Sequence, residues 1–144
     1  MSKVPERPLW PPRPWRWLIW TTYVLGWSAA LLTTKPAQVA VATLAPPALQ
    51  YTGKTLHVVC YALLAILTGW LQPPRWLGWL LLLFLSLHAF GTEYGQRFVP
   101  MRGPSLLDVG WDHLGIVLGL AVSWKLWRPT LFGPARRSET DQAG

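Results

Sequence analysis

Four apolar runs follow one another in this chain of 144 residues, and that succession constrains the fold more than any other feature. The first is WRWLIWTTYVLGWSAALL, residues 15–32, whose one charge is Arg16 near its start. The second is LHVVCYALLAILTGWL, residues 56–71, extended backwards by Lys54. The third is WLGWLLLLFLSLHAF, residues 76–90, with a helix expected to continue through Glu93 and Gln96 until Pro100 stops it. The fourth is LLDVGWDHLGIVLGLAVSWKLW, residues 106–127. A helix needs about 20 residues at 1.5 Å each to cross a hydrocarbon core of about 30 Å. The last three runs reach that length only if the polar residues at one end of each are helical too. Those residues are therefore expected on the outermost turns of helices, near the membrane interface.

Only 13% of the residues are charged and 51% are apolar, against about 25% charged in a typical soluble domain. This excludes a disordered chain and argues against an ordinary soluble enzyme. The expected fold is all-α: an integral membrane protein of four transmembrane helices spanning about 15–32, 54–71, 76–97 and 106–127. A Pro- and Arg-rich arm precedes them at 1–14 and a flexible tail follows at 129–144. The stretch 33–53, with Pro36, Pro46 and Pro47, reads as a connector without a span of its own. Cys60 stands alone, so no internal disulfide and no Cys-built zinc site is available.

The net charge of +7 fits orientation better than nucleic-acid binding. With both termini inside, the inner segments hold Lys3, Arg7, Arg13, Arg16, Arg75, Lys125, Arg128, Arg136 and Arg137, and the outer ones Lys35, Lys54, Arg97 and Arg102. Nine against four places both termini in the cytoplasm by the positive-inside rule. Trp10, Trp15, Trp17, Trp20, Trp70, Trp76, Trp79, Trp124 and Trp127 fall at the same inner interface, where tryptophan anchors helices.

The polar groups at the opposite ends are the candidates for chemistry. Lys54, His57 and Tyr61 share one helical face by their i, i+3, i+7 spacing. Glu93 and Gln96 lie at i, i+3, and Asp108, Asp112, Gly115 and Gly119 form another stripe, with Arg102 in the connector between. Ionisable residues at the edge of a membrane tend to face the bundle interior and to pair. One cluster of Lys54, His57, Glu93, Gln96, Arg102, Asp108 and Asp112 is therefore expected.

These motifs resemble those of the VanZ-like membrane proteins. K-x-x-H-x-x-x-Y at Lys54, His57 and Tyr61 is similar to their first motif. Their second, E-x-x-Q, F-x-P-x-R and D-x-x-x-N-x-x-G-x-x-x-G, is similar to the set Glu93, Gln96, Phe98, Pro100, Arg102, Asp108, Gly115 and Gly119. Asp112 stands where the family usually has Asn, and Gly53 where an Asp often precedes the Lys. The resemblance implies a multi-pass protein of the bacterial cytoplasmic membrane and a link to tolerance of the glycopeptide teicoplanin.

In this reading Lys54 and Arg102 hold an anion, a membrane lipid or lipid-linked envelope precursor, with Gln96 and Tyr61 as further binding groups. His57 and Glu93 move a proton while Asp108 and Asp112 position them. No cofactor is expected, and no metal: His113 points about 100° away from Asp112, Lys54 and Arg102 oppose a cation, and no familiar ligand spacing is present. His88 is expected in the helix core, hydrogen-bonded. A proton-coupled transporter subunit is the alternative, as is a non-catalytic assembly partner. A homodimer could form through the Gly115/Gly119 face, since small residues let helix backbones approach.

Overall fold

The computed structural model describes residues 14–33, 46–100 and 103–133, with side chains from Gly53 onward in the second of these segments. Its described residues are helical throughout, without strands. Helix α1 spans Pro14–Leu32, α2 Pro46–Trp70, α3 Arg75–Gly95, α4 Leu106–Val122 and α5 Trp124–Phe132. A 3-10 turn at Gln96–Phe98 extends α3. The arm at 1–13 and the segment 134–144 lie outside the described residues, as does Arg102.

Among the described residues, two stretches are long and apolar enough to cross a membrane, Gly53–Trp70 and Arg75–Phe98. The pair α4 and α5 makes a third candidate, broken by a bend of 90°. Helix α1, of similar length but carrying Arg16 and several tryptophan, threonine and serine residues, is not among these candidates. The exterior supports a lipid environment. Leu18 and Leu25 on α1, Leu63 on α2, Leu83 and Leu87 on α3, and Val117 and Val122 on α4 are all exposed, whereas Glu93, Gln96 and Asp112 are buried. Apolar outside and polar inside is the arrangement a bilayer solvent favours.

Two boundaries differ from the sequence reading. Helix α2 starts at Pro46, within the stretch expected to be a connector. Prolines are tolerated in a first turn, where an amide N–H has no helical partner to lose. The expected single span 106–127 is instead two helices. Ser123 turns its hydroxyl back onto Gly119 O at 2.5 Å, ending α4, and its own carbonyl then accepts from Leu126 N and Trp127 N to begin α5. Helix α5 folds against the ends of α2 and α3 that meet at the turn 71–74. Trp127 is fully buried, its indole N–H donating to Ala65 O at 3.1 Å, and its ring lies where a side chain on Gly69 would have to go.

Helices α2 and α4 form the closest pair. A Cβ on Gly115 would collide with Val58 O, and one on Gly119 with Ala62 O. The glycine face expected to receive a second copy is thus covered by α2 of the same chain. A homodimer through Gly115/Gly119 would require this helix to leave. The stripe does bring helix backbones together, as its residue types imply.

Candidate polar site

The close α2–α4 contact sets the register of the polar cluster. Asp112 lies one turn before Gly115 on α4, and His57 is adjacent to Val58, whose carbonyl meets Gly115. The two side chains meet: His57 Nδ1–H donates to Asp112 Oδ1 at 2.7 Å. Asp112 is 0% exposed and the His57 side chain 14%. The second oxygen of Asp112, Oδ2, is buried without a hydrogen-bond partner.

Glu93, 3% exposed, approaches from α3. Its Oε1 accepts from Gln96 Nε2 at 3.1 Å and its Oε2 from the backbone N–H of Ser105 at 2.9 Å. Ser105 is the N-cap of α4, its hydroxyl accepting from Asp108 N at 3.3 Å. The carboxylate thus sits at the positive end of that helix. One donor atom from each of His57, Glu93 and Asp112 lies within 4.8 Å of the others. Asp108 is close enough to interact electrostatically with all three.

A second polar layer lies deeper. The Ser28 hydroxyl donates to Val24 O at 2.7 Å, so its oxygen accepts from His88 Nε2–H at 2.8 Å. His88 Nδ1 is then left to accept from the Tyr61 hydroxyl at 2.9 Å, with Thr92 Oγ1 at 3.3 Å from the same hydroxyl. His88 is therefore hydrogen-bonded on both ring nitrogens, as expected, though half-buried rather than in the core. Tyr61 is fully buried beneath the His57 cluster, and Trp27 stands edge-on to both rings, 5.8 Å from His57 and 6.4 Å from Tyr61.

Of the residues singled out from sequence, His57, Glu93, Gln96 and Asp112 come together, with Asp108 at the rim and Tyr61 below. Lys54 is half-buried one turn before His57 and makes no ion pair with a described residue. His113 turns away, donating to Val109 O at 2.8 Å and accepting from the Ser86 hydroxyl at 2.8 Å.

Sequence reasoning missed Ser105, Thr92, Ser28 and Trp27. Trp27 and Trp111 carried a usable signal: they are the two of eleven tryptophans not assigned to the inner interface. Both have buried indole N–H groups without a hydrogen-bond partner, and the Trp27 ring lies against His57.

Comparison of the chain with protein-family models, curated proteins and solved structures finds no match.

Proposed function

We propose that this is a multi-pass protein of the bacterial cytoplasmic membrane whose polar cluster engages an anionic lipid or lipid-linked envelope precursor from the outer side. The arrangement has four spans with both termini inside: α1, α2, α3, and α4 with α5 folded back at the inner interface. The Lys/Arg balance and the VanZ-like motifs support this topology. By that resemblance, tolerance of teicoplanin follows from altering or masking the envelope target.

The observation that carries the reading is the His57–Asp112 pair beside Glu93, enclosed by three helices at one end of an otherwise apolar exterior. A structural tie between helices needs one such pair. This end adds a second buried carboxylate and an unpartnered Asp112 oxygen. Lys54, one helical turn from His57, and Arg102 in the connector are the cations suited to phosphate or carboxylate oxygens. His57 is the group suited to accept or donate a proton near neutrality.

The test compares cells expressing the native chain with His57→Ala and Glu93→Ala variants at equal protein level. The phospholipid and polyprenyl-linked species are profiled, and teicoplanin susceptibility is measured. A change that depends on both side chains is expected. An unchanged profile and unchanged susceptibility in the variants would refute a functional site here.

A further inference from the structure

We propose that His57, Glu93 and Asp112 together hold a divalent transition-metal ion of the zinc or manganese class. This reverses the expectation from sequence that no metal binds. It deepens the reading of this end as the working one, and it rests on that reading only for what would meet the ion.

Three observations converge. First, the donor types are right and they converge, and a bound metal would displace the proton that His57 now shares with Asp112. One donor atom from each residue lies within 4.8 Å of the others, while donors bound about 2.0–2.2 Å from a metal stand about 3–4.4 Å apart. The residues come from α2, α3 and α4, so no sequence spacing announces the site. Second, Asp112 is fully buried and its Oδ2 has no partner. A buried carboxylate oxygen left unmatched is costly, and a cation is a partner it can take. Third, the charge does not balance among the described residues. Glu93 and Asp112 are both buried, Asp108 adds a third carboxylate nearby, and His57 is the one side chain ion-paired to any of them. Buried charges are ordinarily paired or bound to metal.

The chemistry selects the class. An imidazole with two carboxylates suits zinc, manganese or iron(II), whereas magnesium and calcium prefer all-oxygen sets. Glu93 is already fixed by Gln96 and Ser105 N, and such outer partners orient a metal-bound carboxylate. Lys54 argues against a bare cation at this spot. It agrees with an ion that still has open positions, where phosphate oxygens of an anionic headgroup could bind both the metal and the ammonium.

The experiment uses the full chain purified in detergent micelles, stripped with a chelator and free of added lipid. Zn²⁺ and Mn²⁺ are titrated in competition with a chromophoric chelator, with Mg²⁺ and Ca²⁺ as controls, and bound metal is counted by mass spectrometry. One Zn²⁺ or Mn²⁺ per chain is expected. His57→Gln, Glu93→Gln and Asp112→Asn should each weaken binding at least 10-fold, and His113→Ala, facing Ser86, should not. Co²⁺ should give visible absorption bands that His57→Gln removes, a readout independent of fold stability. No binding to the native chain, or binding that survives Glu93→Gln and Asp112→Asn together, would overturn the proposal. Such an outcome leaves the anionic-lipid reading intact, because that reading is tested in cells by lipid profile; conversely, metal bound without any change in lipids would sink that reading alone.

Discussion

The two ends of this helical bundle solve different problems with their polar groups. At the tryptophan-rich end the hydrogen bonds of three side chains fasten helices together, with Arg16 Nε left buried without a partner. Arg16 donates to Trp70 O at 3.0 Å and lies over the rings of Trp15 and Trp70. Trp20 Nε1–H donates to Thr68 Oγ1 at 2.8 Å, and Trp127 closes onto Ala65 O. The guanidinium also sits at the carbonyl end of α2, where a positive charge is favourable. The opposite end buries two carboxylates and leaves acceptor and donor atoms unused. Neutral and cationic donors tie helices at one end, whereas two buried carboxylates meet a histidine at the other, and the proposed function rests on that difference.

That contrast is breakable by substitution, and the largest effect belongs to the tryptophan end. Trp127→Ala removes a fully buried indole and should lower stability by about 3–5 kcal/mol. Thermal unfolding in micelles would measure this, while metal and lipid binding by the folded fraction stay unchanged. Loss of binding with retained stability would erase the distinction between the ends.

Next comes the joint between them. Gly115→Ala forces a methyl group against Val58 O and should cost about 1–3 kcal/mol through overpacking. Because it also moves Asp112 away from His57, stability and binding should fall together in the same preparation.

Asp112→Asn should behave in the reverse way. The amide oxygen still accepts from His57, and a buried charge disappears, so unfolding should shift by no more than about 1 kcal/mol. Binding at the polar end should nevertheless drop, which a combined melting and metal-titration assay resolves.

The smallest effect is at the α2–α3 turn, where Gln72 has a φ of 50°, a left-handed conformation that favours glycine. Gln72→Gly should raise stability by about 0.5–1 kcal/mol without touching either end's function. A melting temperature that falls would contradict this view of the turn.

Much of the frame was legible in the residues. The third apolar run became α3 and its 3-10 extension with nearly the expected bounds, because an unbroken leucine-rich stretch followed by Pro100 has few alternatives. The meeting of His57 with Asp112 and Glu93 followed from polar faces at one depth. What was not legible depended on long-range packing. Ser123 is an unremarkable residue within an apolar run, and its break is made by the docking of Trp127 on Gly69. The glycine stripe was read correctly as a place of close approach, but residue type cannot say whose backbone approaches. His113 and Asp112 differ by one position on α4, yet one serves Ser86 and the other His57. The donor set of three residues from three helices has no linear signature at all.

The most direct test places the native chain in nanodiscs of mixed neutral and anionic phospholipid and counts retained lipids by native mass spectrometry. Retention of an anionic lipid by the native chain and by Arg16→Ala, with loss in His57→Gln and Glu93→Gln, is the predicted result. Equal retention in all four chains, or loss in Arg16→Ala alone, would contradict the assignment of function to the polar end.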